Sequence, residues 1–197
     1  LLRQSTFKDI LCFLDEDVQN AQRAKATEVQ VTVERYESKV IIENNGKILT
    51  NPQALFSIAD SEWDEEVKKH ENPFGMGFFS NITVSNLIEV HTGNKLITFD
   101  VENMINTNNT EIKVEEIEDY YEGFKLTLNN FNFEVAYSWE IEERVKVLGK
   151  YIHELNIYYN GELQEKKDLT TGDDSEFQFS IEDDVDFKGW IALGNNY

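Results

Sequence analysis

This sequence is poor in cysteine, in long apolar runs and in positive charge, and each shortage narrows what the protein can be. Cys12 is the single cysteine among 197 residues, so no intrachain disulfide can form and the cytoplasm is the expected compartment. No apolar run approaches the ~20 residues that cross a bilayer. No basic segment followed by an apolar stretch marks a signal peptide. We therefore expect a cytoplasmic protein with no membrane contact.

Positive charge is scarce: 18 lysines and arginines face 38 aspartates and glutamates, for a net charge of −20. Such a field repels phosphate backbones, so this segment is not expected to contact nucleic acid directly. A solvated acidic surface is favoured over a specific site for a basic partner. The chain begins with Leu1 and not Met, and we expect it to be a piece of a longer protein.

The hydrophobic pattern predicts an α/β protein. Apolar residues at three- and four-residue spacings predict helices over 7–25 and 138–154, and shorter helices are predicted over 51–59 and after Phe78. Alternation predicts strands at Glu28–Glu34, Ser38–Ile42, Leu87–His91, Lys95–Val101, Thr110–Glu116, Phe124–Leu128, Ile157–Tyr159 and Glu162–Glu165, with two more in the tail. Thr92-Gly93-Asn94 is predicted to be a turn, and Asn160-Gly161 is predicted to join a hairpin. This order indicates a two-layer α/β sandwich with a mainly antiparallel mixed sheet. A polar break predicts a boundary between a domain at 1–168 and an extension at 169–197.

The first helix carries a candidate catalytic pair. Glu16 and Asn20 are four residues apart, which places both side chains on one helical face. A carboxylate there can act as a general base on water, and an amide oxygen beside it can bind Mg²⁺. The alternative is an ordinary exposed acidic face, because Asp15 and Asp17 flank Glu16.

Two further segments carry binding signals. Ile42-Glu43-Asn44-Asn45-Gly46 ends a strand where a polar side chain can read the edge of a base, although a plain turn has the same composition. Phe74-Gly75-Met76-Gly77-Phe78-Phe79-Ser80 has two glycines one residue apart. If a helix follows, its free backbone amides form a seat for phosphate. A tight turn is the alternative.

Together, these three segments resemble the GHKL ATPases, the Bergerat-fold family of gyrase B, MutL, sensor histidine kinases and the heat-shock chaperones of the ninety-kilodalton class. The resemblance runs from about Phe7 to Leu128, in the family order. The stretch 18–27 is similar to the N-box of MutL and gyrase, and 74–80 is similar to the chaperone phosphate loop. The strand Asn86–Thr92 also resembles the one that follows this loop. By the same resemblance, the segment 169–197 would be either the start of a transducer-like domain or a carboxyl-terminal extension.

The resemblance implies a role for each motif. Glu16 would position or deprotonate the attacking water, and Asn20 would hold the Mg²⁺ that bridges the phosphates of ATP. The N-box match also places Ala24 among the cofactor-binding residues. The triphosphate would be lined by the backbone amides of Gly75, Met76, Gly77, Phe78 and Phe79.

The base pocket departs from the family pattern. Asn44 stands where the family has an aspartate that accepts a hydrogen bond from the adenine amino group. Gly46 would let the base approach and Leu49 would pack on its face. However, Ile48 replaces a glycine, and Phe124 replaces a threonine that supports adenine. The resemblance therefore implies altered or weakened base recognition.

Two functions stay open. In the first, the domain binds Mg²⁺ and ATP and hydrolyses ATP slowly, and closure over the nucleotide drives dimerisation or rearrangement of a longer protein. In the second, the domain keeps the fold but serves as a non-catalytic interaction module with a degenerate adenine pocket. A role as a subunit of a DNA-processing protein follows only from family membership, and the acidic charge would place any DNA contact outside this segment.

Overall fold

A computed structural model describes residues 9–55, 77–107 and 112–167, together with the backbone of two strands near the carboxyl terminus. The predicted phosphate-loop residues Gly75 and Met76 lie outside these residues. So do residues 56–59 of the short helix predicted over 51–59, whereas Pro52–Leu55 forms a 3₁₀ segment.

The described chain combines helices with a mixed sheet, and this confirms the predicted α/β class. Three α-helices are described: α1 (Cys12–Arg23), α2 (Val101–Thr107) and α3 (Ser138–Tyr151). The short 3₁₀ segments are Arg35–Glu37, Pro52–Leu55 and Phe78–Thr83. The strands are β1 (Glu28–Glu34), β2 (Lys39–Asn44), β3 (Leu87–Asp100), β4 (Lys113–Asn129), β5 (Asn156–Tyr159), β6 (Glu162–Leu163), β7 (Gln178–Asp184) and β8 (Phe187–Ala192).

Strands β1 to β6 form one sheet in the order β3-β4-β2-β1-β5-β6. The pairs β1–β2, β2–β4, β3–β4 and β5–β6 are antiparallel, whereas β1 and β5 are parallel. Helix α3 precedes β5, which is the kind of connection that a parallel neighbour requires. The sheet is therefore mixed and mainly antiparallel, as the pattern predicts.

The core lies between one face of this sheet and the helices. In β1 and β2, alternate residues point inward, and Val29, Val31, Val40 and Ile42 are buried. Helix α1 places Phe13, Leu14, Val18 and Ala21 against the core, and α3 adds Ile141 and Val145. Helix α1 thereby fixes the position of its polar face, which carries Glu16 and Asn20.

The predicted turn at Thr92-Gly93-Asn94 is wrong. Strand β3 runs through it, and the register with β4 shifts on both sides of Gly93, whose φ is +55°. Between the pairs His91–Lys125 and Lys95–Glu116, β4 advances nine residues while β3 advances four, so this bulged region interrupts the pairing without ending β3. Glycine tolerates the positive φ at this point. The predicted strands at 87–91 and 95–101 are thus one strand, and β4 likewise joins the two strands predicted at 110–116 and 124–128.

The helix predicted after the glycines is also different. Phe78–Thr83 is a 3₁₀ segment, and β3 follows it after a short connection. Helix α1 ends at Arg23 and not at residue 25, because Lys25 has a φ of +59°. The predicted hairpin around Asn160-Gly161 is present between β5 and β6.

The chain divides into two compact units, Leu1–Glu165 and Lys166–Tyr197. The first contains the six-stranded sheet. In the second, β7 and β8 form an antiparallel hairpin in which Gln178 lies opposite Ala192. Among the described residues, no helix has both the length and the apolar character needed to cross a membrane.

Candidate functional site

One face of helix α1 carries three of the predicted site residues. Glu16, Asn20 and Ala24 follow one another at intervals of four, and Ala24 caps the helix end. Residues four apart in a helix lie one above the other, with a rise of 1.5 Å per residue. The row from Glu16 to Ala24 is therefore about 12 Å long, and each of its ends contacts a different glycine segment.

At the first end, Glu16 packs against Gly77. A Cβ added at Gly77 would lie 2.9 Å from Cδ and 3.3 Å from Cβ of Glu16, and it would overlap Oε2 of the same carboxyl group. Gly77 has an ordinary helical backbone, with φ −58° and ψ −47°. A side chain at this position would therefore displace the Glu16 carboxyl. The structure brings the predicted base next to the end of the predicted phosphate loop.

At the second end, Gly46 packs against Ala24. A Cβ at Gly46 would lie 2.8 Å from Cβ of Ala24 and 2.9 Å from its carbonyl oxygen. The same carbonyl accepts a hydrogen bond from the amide of Lys47 at 2.8 Å. The segment after β2 is thus tied to the end of α1, and the lack of a side chain at Gly46 is what permits this contact.

Asn44 lies beside this contact and is only 7% exposed. Its Oδ1 accepts a hydrogen bond from the amide of Gly46 at 3.0 Å, which fixes the orientation of the side-chain amide. Its Nδ2 has no hydrogen-bond partner within the described ranges. Asn44 therefore presents a free donor at the position where the sequence predicts a reader of the base.

Strand β4 meets β2 at the same place. Asn44 pairs with Phe124, whose side chain is partly buried against the core. A Cβ at Gly123 would overlap the carbonyl oxygen of Asn44, and Gly123 has a φ of +140°. Because both the space and the φ exclude other residues, Gly123 holds the two strands in register at the predicted base pocket.

Thr92 is a buried residue of this region that the sequence analysis missed. Its hydroxyl donates to the carbonyl of Gly123 at 2.7 Å and accepts from the amide of Leu49 at 2.9 Å. It thereby joins the segment after β2 to β3 and β4. The available signal was its place in the alternation Ile88, Val90, Thr92, which makes it a polar residue on an inward face.

Asp17 is the second residue missed. Its acidic neighbours predict an exposed acidic face, but Asp17 is 6% exposed and packs against Asn81 of the segment Phe78–Thr83. Its spacing from Leu14 and Ala21 puts it on the apolar side of α1, which was the available signal. Burial raises the pKa of Asp17 to about 8.

The remaining acid of this stretch, Asp15, lies toward helix α3. Its Oδ2 accepts a hydrogen bond from Arg144 at 2.7 Å, and the same guanidinium binds Asp9. Burial is the largest influence on Asp15 and raises the pKa of its carboxyl, although Arg144 opposes this. Arg144 therefore ties α1 to α3 and leaves Glu16 free to face Gly77.

The other predicted site residues are distributed around these contacts. Asn20 is half-buried, and its Oδ1 lies 3.4 Å from Nη1 of Arg23. Leu49 and Phe79 are partly buried against the core, and Phe78 is buried. Within the described part of the chain, no three His, Cys, Asp or Glu side chains are grouped as metal ligands.

Comparison with models of protein families found no match to this chain, and a search of curated proteins found none either. A function for this chain therefore rests on its own residues and their geometry.

Proposed function

We propose that this chain is a GHKL, or Bergerat-fold, domain that binds ATP with Mg²⁺ and hydrolyses it slowly, driving a conformational change in a larger cytoplasmic protein. The observation that carries this proposal is the row on α1. Glu16 contacts Gly77 at one end, and Ala24 contacts Gly46 beside Asn44 at the other. An elongated ligand with a base at one end and phosphates at the other suits this arrangement.

Glu16 and Asn20 would have different roles in the reaction. Glu16 is half-buried beside the start of the Phe78–Thr83 segment, where a carboxylate can orient a water and accept its proton. Asn20, one turn away, offers an amide oxygen once its long contact with Arg23 is released. Mg²⁺ commonly takes one or two protein oxygens and completes its shell with phosphate oxygens and water, so a single Asn ligand fits. Bound Mg²⁺ would supply charge neutralisation for the phosphates.

A non-catalytic interaction module is the second candidate, and one observation favours it. Oδ1 of Asn44 already accepts a hydrogen bond from the amide of Gly46. The side-chain atom that remains for a ligand is therefore Nδ2, which is a donor. The adenine amino group is also a donor and makes a poor partner for it. Ile48 is 37% exposed, and its side chain lies over Gly93. The family has a glycine at the position of Ile48.

Titration calorimetry with ATP, ADP and GTP in the presence of Mg²⁺ separates the two functions. We expect a measurable heat with at least one nucleotide and a slow release of phosphate. Glu16→Ala should abolish hydrolysis and leave binding intact, because only the group that activates water is removed. Asn20→Ala should weaken the Mg²⁺-dependent binding itself.

Glu142→Ala serves as the matched control, because Glu142 lies on α3 and pairs with Lys146 away from the row. Its binding and hydrolysis should equal those of the wild type. No heat and no thermal shift with any nucleotide would overturn the proposal in favour of the interaction module. Equal loss of binding and hydrolysis in Glu16→Ala would contradict the role of Glu16 as base.

A further inference from the structure

Asp17 and Asn81 form a buried polar pair between α1 and the segment Phe78–Thr83. Asn81 is fully buried, and its Nδ2 donates to Oδ1 of Asp17 at 3.5 Å and to the carbonyl of Phe78 at 3.2 Å. Both protons of the amide are then used. Oδ2 of Asp17 and Oδ1 of Asn81 are left buried without a hydrogen-bond partner in the described structure. Buried acceptors without donors are costly.

One proton can satisfy both oxygens. A carboxylate only accepts hydrogen bonds, whereas a neutral carboxylic acid also donates one. Because the two orphaned oxygens belong to side chains that are already joined by a hydrogen bond, an O–H on Asp17 has an acceptor within the same pair. The reciprocal arrangement would leave no polar atom of the pair unbonded.

The surroundings favour the neutral acid. Burial is the main cause that raises the pKa of Asp17, and the neighbouring Glu16 carboxylate raises it further, whereas Asn81 lowers it. The segment Phe78–Thr83 contains no titratable residue. The fully buried strand residues of the core are not titratable. Tyr159 of β5 is partly buried against the core, burial raises its pKa, and its hydroxyl donates to the carbonyl of Ser138. Helix α3 brings Arg144, but its guanidinium binds Asp9 and Asp15.

We propose that Asp17 is held as the neutral acid and donates from Oδ2 to Oδ1 of Asn81, so that two hydrogen bonds position the segment Phe78–Thr83, and with it Gly77, against Glu16. Asp17 acts through Glu16 and Gly77 and is therefore a positioning residue. The shared proton follows from the geometry of the pair alone, whereas its expected effect on nucleotide binding rests on the proposed function.

The proposal predicts the direction in which the stability of the folded chain changes with pH. In the unfolded chain Asp17 loses its proton near its ordinary pKa of 3.8, whereas in the folded chain it keeps the proton until about pH 8. Between these values unfolding releases a proton. The contribution of Asp17 to the unfolding equilibrium constant therefore rises about tenfold per pH unit. Above about pH 8 both states are ionised, so this slope disappears and the folded pair loses its second hydrogen bond.

Asp17→Asn tests the pair, because an amide mimics the neutral acid: its oxygen accepts from Asn81 and its Nδ2 donates to Oδ1 of Asn81. Urea unfolding of both proteins between pH 5.5 and 9 is the measurement. We expect the ratio of their unfolding constants to change about tenfold per pH unit up to about pH 8 and then to level off. A ratio that does not depend on pH would overturn the proposal.

Two variants and one direct titration complete the test. Asp119→Asn makes the same change on an exposed residue of β4, and its ratio to wild type should not show this slope. Asp17→Leu removes the acid but leaves Oδ1 of Asn81 unpaired, so it should be less stable than Asp17→Asn at every pH. If the variants fail to fold, carbon-13 NMR of the wild-type Asp17 carboxyl decides: a midpoint near 8 supports the proposal, and one near 4 overturns it.

Nucleotide affinity separates this inference from the proposed function. Between pH 7 and 9, ATP with Mg²⁺ should bind the wild type progressively more weakly and Asp17→Asn almost unchanged. The same pH dependence in both proteins would overturn the positioning role while the proposed function stands. If neither protein binds nucleotide at any pH, the proposed function fails, and the unfolding data still decide whether the pair shares a proton.

Discussion

The two ends of helix α1 are built in different ways. At the Ala24 end, hydrogen bonds from Lys47, Gly46 and Thr92 satisfy the carbonyl and side-chain oxygens around Asn44. At the Glu16 end, steric contact with Gly77 and the buried Asp17–Asn81 pair hold the chain, and two oxygens of that pair lack donors among the described residues.

The Ala24 end is therefore rigid, whereas the Glu16 end is sensitive to the protonation of its buried acid. Where every buried acceptor has a donor, the backbone is fixed without a ligand. Where buried acceptors have no donor, adding a proton creates a hydrogen bond between them and so changes the stability directly. We therefore expect substitutions at the Ala24 end to act mainly on stability, and those at the Glu16 end to act mainly on the chemistry of the site.

The largest expected effect lies at the rigid end. In Gly123→Ala the new methyl group would overlap the carbonyl of Asn44 at a φ of +140°. Backbone strain and overlap together should lower the free energy of unfolding by roughly 3 kcal/mol, measured by urea denaturation. Gly161→Ala is the control: its φ is +85° but nothing lies within 4 Å, so only strain remains, roughly 1 kcal/mol. Equal losses would show that the contact with Asn44 is unimportant.

The second prediction concerns the sensitive end. Gly77→Ala keeps an allowed backbone but forces the carboxyl of Glu16 to move. A displacement of about 1 Å at a catalytic group costs about a hundredfold in rate, so phosphate release should fall by that order while nucleotide binding changes less. The companion experiment is Gly77→Ala in a Glu16→Ala background: Cδ and Oε2 of residue 16 are removed and only Cβ stays, 3.3 Å away. Most of the loss in unfolding free energy that Gly77→Ala causes in the wild type should therefore be relieved. A stability loss that Glu16→Ala does not relieve would place the collision elsewhere.

The smallest expected effect tests the base pocket. Asn44→Asp keeps an acceptor for the amide of Gly46 and replaces the free Nδ2 by a second acceptor oxygen. The affinity for ATP relative to ITP should rise about tenfold in calorimetry, because a charged acceptor gains a bond to the adenine amino group and disfavours the oxygen of hypoxanthine. Asn45→Asp adds the same charge one residue away. If it shifts the ratio equally, the effect is one of charge and not of base reading.

The sequence predicted those parts of the fold that periodicity controls. Helix α1, strands β1 and β2 and the Asn160-Gly161 hairpin follow local patterns, and each was found near its predicted place. Thr-Gly-Asn is typical of both a turn and a bulge, so the sequence alone predicts a turn where β3 has its bulge at Gly93. Only the pairing with β4 decides between them.

The candidate site was predictable to a similar extent. The spacing of Glu16, Asn20 and Ala24 puts them in a row without any tertiary information. What each glycine contacts was not predictable: Gly46 and Gly77 were assigned to ligand approach, but their missing side chains leave room for Ala24 and Glu16. The burial of Asp17 was also overlooked, because its acidic neighbours outweighed its place on the apolar stripe.

The long pairing of β3 with β4 has a structural consequence. Only the part of β4 from Phe124 to Leu128 also pairs with β2, whereas Lys113–Glu116 and Tyr121 pair with β3 alone. Beyond Gly123 the two strands form a ribbon whose hydrogen bonds are independent of the other four strands. Insertions or deletions there can lengthen or shorten the ribbon without shifting the register of the other strands, so its length can vary while the sheet is preserved.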